Sequence, residues 1–173
     1  MGFINSEFKA RVEDMASLEA RLLELHPRFI GCDHQVDTYF NVPHGRLKWR
    51  KGNVENALIF YLRSNEASVR TSRVIMEPLQ PGSALPELIR ELYDVLVVVD
   101  KQRRIYRLDH VKFHLDKVAG LGLFAEVEVI DESGTGDEAS LREQAEYFRN
   151  FLGIPEQAIL SESYSDLLLR KPG

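Results

Sequence analysis

The feature that most restricts the fold of this chain is the stretch from Val111 to Val129, VKFHLDKVAGLGLFAEVEV, where two alternating runs flank a glycine pair. In a β-strand successive side chains point to opposite faces, so residues two apart share one. Lys112, His114 and Asp116 therefore lie on one face, opposite Val111, Phe113 and Leu115. Beyond Gly120-Leu121-Gly122, Glu126 and Glu128 share a face while Ala125, Val127 and Val129 take the other. Two carboxylates two residues apart on a strand repel each other unless a cation sits between them. The spacing is a first pointer to a metal site.

The same alternation recurs along the chain. Phe3 to Val12 reads as a strand with Asn5, Glu7, Lys9 and Arg11 on one parity. Glu13 to His26 changes to helical spacing, with Met15, Leu18, Leu22 and Leu25 as its stripe and Pro27 as its stop. Further strands are expected at Gln35–Phe40, Arg46–Lys51, Ala57–Arg63 and Arg70–Met76, with a turn at Ser64-Asn65-Glu66. A short helix is expected over Glu87–Tyr93, then a strand over Val95–Arg103 with Ile105–Leu108 as its hairpin partner. Leu141, Ala145, Phe148 and Phe151 mark the longest helix, closed by Gly153, and two short helices follow at Ile154-Pro155 and Ser163–Leu169. About eight strands in succession with a few helices imply an α+β fold built on an antiparallel sheet or barrel.

A chain of 173 residues that is 44% hydrophobic suits one buried domain spanning 1–173. A net charge of -5 and a pI near 5.6 argue against a nucleic-acid partner, which selects basic domains. Cys32 is the single cysteine, which suits a reducing compartment. No run approaches about 18 apolar residues, so the expectation is a soluble cytoplasmic protein with no membrane contact.

Charge is segregated by strand. Arg46, Lys48 and Arg50 share one face, as do Lys101 and Arg103, while Glu7, Asp116, Glu126 and Glu128 occupy other strands. Any one of these runs is satisfied by a solvated sheet face. Together, in an acidic protein and each opposite an apolar face, they describe a focused positive site with an acidic corner. Phosphates match such a site, since arginine binds them bidentately and lysine as a point charge, and carboxylate oxygens match Mg²⁺ or Mn²⁺.

Short motifs in a specific order identify a relative. Asn5-Ser6-Glu7-Phe8-Lys9 stands against an E-x-E-x-K opening, followed by Asp37-Thr38-Tyr39-Phe40-Asn41-Val42-Pro43 and Gly45-Arg46-Leu47-Lys48-Trp49-Arg50. Lys101-Gln102-Arg103 comes next, and His114-Leu115-Asp116-Lys117-Val118-Ala119-Gly120-Leu121-Gly122 runs into Phe124-Ala125-Glu126-Val127-Glu128. On these residues the chain resembles the CYTH superfamily of triphosphate tunnel metalloenzymes, which includes class IV adenylate cyclases and thiamine or inorganic triphosphatases. The G-R-L-K-x-R and H-L-D-x-V-x-G-L-G-x-F runs look most like the cyclase branch.

The resemblance implies an antiparallel eight-stranded β-tunnel with peripheral helices that binds a triphosphate and divalent cations inside. By matching position, Glu7, Asp116, Glu126 and Glu128 are expected to face the metal. Lys9, Arg46, Lys48, Arg50, Arg63, Arg70, Lys101, Arg103 and Lys112 are expected to grip phosphates, with Glu7, Lys9, Tyr39 and Lys101 nearest the chemistry. Tyr39 matches a tyrosine that orients the nucleophile in triphosphatase relatives, and a packed strand tyrosine explains it equally well. His114 and Trp49 read as structural. The implied reaction is ATP to cyclic AMP and pyrophosphate, with hydrolysis of thiamine or inorganic triphosphate as the alternative. The chain departs from the pattern at Asn5, where the family carries glutamate. Asparagine keeps an oxygen ligand but loses a charge, so a weakly catalytic nucleotide- or polyphosphate-binding module is a further reading. The apolar outer helices leave room for a homodimer.

Overall fold

In the computed structural model residues 2–63 and 69–171 are described, Arg63 by its backbone alone. The turn expected at Ser64-Asn65-Glu66 and the phosphate contact expected of the Arg63 side chain lie outside the described residues. Eight strands form: β1 (Gly2–Arg11), β2 (Arg28–Phe40), β3 (Arg46–Lys51), β4 (Ala57–Arg63), β5 (Arg70–Pro78), β6 (Val95–Leu108), β7 (Val111–Val118) and β8 (Gly122–Asp131). They close into a barrel in the order β1-β5-β4-β3-β2-β6-β7-β8, and every neighbouring pair is antiparallel. Closure removes the edges that an open sheet would present.

Two strands differ from the sequence expectation. Val95 to Leu108 is one continuous strand rather than a strand and its hairpin partner. Gln102-Arg103-Arg104 holds no turn residue, and the chain reverses at Asp109-His110, where Asp109 takes φ 50°. β2 begins at Arg28, well before Gln35, and a register shift between Phe29 and Gly31 breaks the alternation that would have revealed it. The β7–β8 turn falls where the glycine pair stands, with Gly120 at φ 74° and Gly122 at φ 110°.

The barrel is inverted relative to one filled by apolar side chains. Phe8, Phe113, Leu115, Val127 and Val129 point outward and are covered by helices α1 (Met15–Leu23) and α3 (Glu138–Phe151), whose Leu18, Leu22, Leu141, Ala145 and Phe148 complete the main core. Asp14 caps α1, accepting from the Ser17 backbone N–H at 3.0 Å, and Asp137 caps α3, accepting from Ala139 N–H at 3.0 Å. Helix α2 (Leu85–Leu92) lies in the β5–β6 connection, and α4 (Tyr164–Leu169) follows a short 3-10 turn at Glu156–Ala158. With the apolar parity used outside, the charged parity lines the lumen.

Leu22 is fully buried between α1 and the barrel. Leu22→Ala is expected to cost about 2–5 kcal/mol in denaturant unfolding while leaving the lumen's ligand affinity unchanged. A cost under about 0.5 kcal/mol would mean that α1 does not cover the sheet.

Candidate functional site

Strand register brings the acidic residues together. Across β7 and β8, His114 is opposite Glu126 and Lys112 opposite Glu128; across β1 and β8, Lys9 is opposite Glu126 and Glu7 opposite Glu128. His114, Glu126 and Glu128 each offer a ligand atom within 4.8 Å of the others. His114 Nδ1 lies 3.9 Å from Glu126 and 3.8 Å from Glu128. The ring is 1% exposed, and neither of its nitrogens has a hydrogen-bond partner. A buried imidazole with no hydrogen-bond partner, beside two carboxylates, makes a donor set that fits a divalent cation.

Glu7 lines the same lumen outside that trio. Burial, with Glu126 and Glu128 adding their repulsion, pushes its carboxyl up to about 7. Asn5 donates to Glu7 Oε2 at 3.4 Å, a contact that a glutamate at position 5 could not make. Glu126 is held well below the usual carboxylate range: burial opposes this, but Lys9 and Arg103 outweigh it. Lys9 Nζ lies 3.8 Å from Glu126 Oε1 and 3.9 Å from the centre of the Tyr164 ring.

Asp116, expected to face the metal, has its oxygens bonded to protein donors. It is fully buried, and its two oxygens accept from Arg103 Nε at 2.7 Å, Arg103 Nη2 at 2.6 Å and the Tyr164 hydroxyl at 2.7 Å. Its structural effect is to aim Arg103, whose Nη2 continues to Glu126 Oε2 at 2.7 Å.

The opposite wall is organised by Asp37. One carboxylate accepts from Arg50 Nε and Nη2, both at 2.9 Å, from Lys101 Nζ at 2.8 Å and from Lys48 Nζ at 3.2 Å. Burial alone would raise its pKa, but Arg50, Lys101 and Lys48 hold it well below the ordinary value. Glu55 plays the same part further along, accepting from Arg50 at 2.8 Å and from Lys112 at 3.1 Å. Lys101 shares its one anion with two other cations. Burial, reinforced by Arg50, Arg103 and Lys48 against Asp37, lowers it to about 7. Tyr39 is raised to about 12 by burial and the nearby Asp37, so its hydroxyl stays protonated at neutral pH, where it accepts from Lys48 Nζ at 3.5 Å.

Arg46 and Arg70 are placed differently from the other cations. Arg46 bonds Ser163 at 2.8 Å, Ser165 at 3.2 Å and Asp166 at 3.0 Å, gripping the N-terminus of α4. Arg70 is buried and donates to the Leu160 carbonyl at 3.0 Å and to the Ser161 carbonyl. Between them they hold the segment that closes one end of the barrel. There Tyr164, Leu167 and Leu168 join the inward Tyr39, Val97, Val99, Val118 and Phe124 in a second apolar cluster. Arg70 is also the cross-strand partner of Glu7 and, with Lys9, works against the rise of its carboxyl.

The sequence reading left out Asp37, Glu55 and Tyr164 as site residues. Asp37 shares the parity of Tyr39 and faces Arg50 across β2 and β3, so a cross-strand count would have found it. Glu55 lies in the loop between β3 and β4 and has no periodicity to mark it.

The family model of the CYTH domain matches residues 4–163. No curated protein matches the chain. Among solved structures, a Pyrococcus horikoshii protein is 25% identical, covers 94% of this chain and 98% of its own, and superposes with a TM-score of 0.79. A candidate adenylate cyclase from Vibrio parahaemolyticus is 20% identical over 98% of this chain and 99% of its own, with a TM-score of 0.77. A candidate adenylyl cyclase from Hippeastrum, described as having a dominant triphosphatase activity, is 16% identical over 96% and 94%, with a TM-score of 0.59. These last two share the fold.

Opposite stability effects are expected from two acids in this lumen. Asp37→Ala leaves Lys48, Arg50 and Lys101 without their shared anion and is expected to cost about 3–5 kcal/mol in denaturant unfolding. Glu7 titrates near 7 when folded and near 4.5 otherwise, so the metal-free fold loses stability as pH rises between those values. Glu7→Gln removes that loss and is expected to be up to about 3 kcal/mol more stable than the parent at pH 8 and equal to it at pH 4. A difference that does not change with pH would contradict the assignment.

Proposed function

The chain belongs to the CYTH domain family, and from that premise we propose that it is a divalent-metal-dependent enzyme acting on a triphosphate inside its barrel. The reading that the motifs favour is a class IV adenylate cyclase-like conversion of ATP to cyclic AMP and pyrophosphate, with the whole chain serving as one catalytic unit. The observation that carries it is the placement of Glu126, Glu128 and the idle His114 in the same lumen as Lys48, Arg50, Lys101, Arg103 and Lys112.

A divalent cation held here would supply positive charge against the phosphate oxygens. Glu126, Glu128 and His114 are the residues that fit it, with Glu7 alongside. The carboxylates suit Mg²⁺ or Mn²⁺. Lys48, Arg50 and Lys101 hold the phosphate chain. Asp37 fixes them from behind, and each ammonium keeps donors to spare. An anion in the lumen favours the charged form of Lys101, so its ammonium is complete when substrate is present. Arg103 is aimed by Asp116 and needs no rearrangement to meet a phosphate beside Glu126. The Tyr39 hydroxyl accepts from Lys48 Nζ at 3.5 Å, which leaves its own proton available to a substrate oxygen.

Hydrolysis of thiamine or inorganic triphosphate is the second reading. The same side chains grip the phosphates, and the Hippeastrum neighbour is described as having a dominant triphosphatase activity. The ligand is a small-molecule triphosphate, and no helix among the described residues is long and apolar enough to cross a membrane.

Incubation with ATP, thiamine triphosphate or inorganic triphosphate in Mg²⁺ or Mn²⁺, followed by chromatography, identifies the reaction. Metal-dependent cyclic AMP and pyrophosphate are expected from ATP, and phosphate release alone would move the assignment to hydrolysis. Glu128→Gln is expected to lower turnover on the order of 100-fold with an unchanged fold. Full activity in that variant would remove the metal assignment.

A further inference from the structure

The charged lining does not run all the way round the barrel. On the wall formed by β1, β5 and β4, the inward side chains Phe3, Ile59, Tyr61, Val74 and Met76 pack together, with Ala57 completing an apolar cluster inside the lumen. Besides the Tyr61 hydroxyl, two uncharged polar side chains border this cluster, between it and Glu7 further along β1. Asn5 and Ser72 are cross-strand partners, 4% and 3% exposed, and both line the lumen. Neither Asn5 Oδ1 nor Ser72 Oγ has a hydrogen-bond partner. The Asn5 amide nitrogen is turned to Glu7 at 3.4 Å, and reversing the amide would set its oxygen against that carboxylate. The amide oxygen is therefore left as a buried acceptor that asks for a donor.

Inorganic triphosphate meets at most one of these demands, by accepting from the Ser72 hydroxyl. Its oxygens are acceptors that cannot bond Asn5 Oδ1, and its charge gains nothing from an apolar wall. A flat, uncharged heterocycle with an N–H or O–H group meets all of them: its faces bury against the apolar cluster, while its donor reaches Asn5 and its polar edge reaches Ser72. Resting on the triphosphate reading above, we infer that this wall is the subsite for a neutral organic group, so that the substrate is a nucleoside triphosphate and Asn5 and Ser72 select it over inorganic triphosphate. Asn5 is then a specificity residue rather than a weakened metal ligand. A glutamate there would present a charge, beside Glu7, to the group that the wall receives.

Titration calorimetry in Mg²⁺ with methylene-bridged, unreactive analogues of ATP and of tripolyphosphate tests this. The parent is expected to bind the ATP analogue at least about 10-fold more tightly. Ser72→Ala combined with Asn5→Ala is expected to weaken the ATP analogue about 10-fold and to leave the tripolyphosphate analogue within about 2-fold, in line with lost hydrogen bonds from one ligand alone. Should Asn5→Ala fail to fold, Ser72→Ala alone carries the comparison, with an expected loss of about 3- to 5-fold. Equal losses for both ligands, or no parental preference, would overturn the subsite. Thiamine triphosphate is the third probe, and tighter binding of its charged thiazolium than of the ATP analogue would overturn the neutral assignment. Binding of none of the three would remove the triphosphate reading itself, and the subsite with it.

Discussion

A buried charge needs a partner, and inside this barrel that requirement decides nearly everything else. Removing an ion from water is costly unless its geometry and hydrogen bonds are close to complete. Asp37 meets the demand for Lys48, Arg50 and Lys101, Glu55 for Arg50 and Lys112, and Asp116 for Arg103. These anions let a closed barrel turn its cations inward without a ligand. The cost of the arrangement is offset outside, where the opposite parity of β1, β7 and β8 meets α1 and α3 in an apolar core. A charged interior and an apolar exterior are two consequences of the same alternation.

Such pairing also prepares the lumen for chemistry. In the function proposed here, cations already fixed by carboxylates behind them need little reorganisation to meet a phosphate chain, which is how electrostatic preorganisation lowers a barrier. The acidic side is less complete. Glu7 is protonated part of the time near neutrality, and the nitrogens of His114 lack partners, so this corner asks for positive charge as the other asks for negative. Arg46 and Arg70 serve a third purpose, holding the segment before and within α4 so that Tyr164 can reach Asp116 and close one end. The lumen is thus graded along and around its axis: apolar at the α4 end, charged in the middle, and apolar again on one wall near the other end.

Much of this was legible in the sequence because alternation survives wherever one face of a strand is apolar. The parity of Lys112, His114, Glu126 and Glu128, and of Lys48 and Arg50, follows from residue order and holds in the lumen. Which strands face one another does not follow from residue order. β1 pairs with β5 and β8, and β2 with β6, across long intervals of chain, so Lys101 beside Asp37 and Ser72 beside Asn5 could not be counted from residue order. Arg46 and Arg70 carry the right parity yet lie towards the end that α4 occupies, and nothing in their own strands announces a helix from the far end of the chain. Asp116 reads as a ligand by position, and only the fold shows that Arg103 and Tyr164 bond its oxygens. Family motifs supplied the site as a set, and geometry separated the residues that line the lumen from those that hold them in place.

The central claim is that the acidic trio and the cations of this barrel together hold one metal–triphosphate complex. A crystal grown with Mn²⁺ and an unreactive ATP analogue, measured for anomalous scattering at the manganese edge, tests it directly. The account predicts an anomalous peak in the lumen within coordination distance of Glu126 and Glu128, with phosphates against Lys48, Arg50 and Lys101. Manganese and phosphate bound only on the outer surface, with the ion pairs of Asp37 undisturbed and the lumen empty, would contradict it.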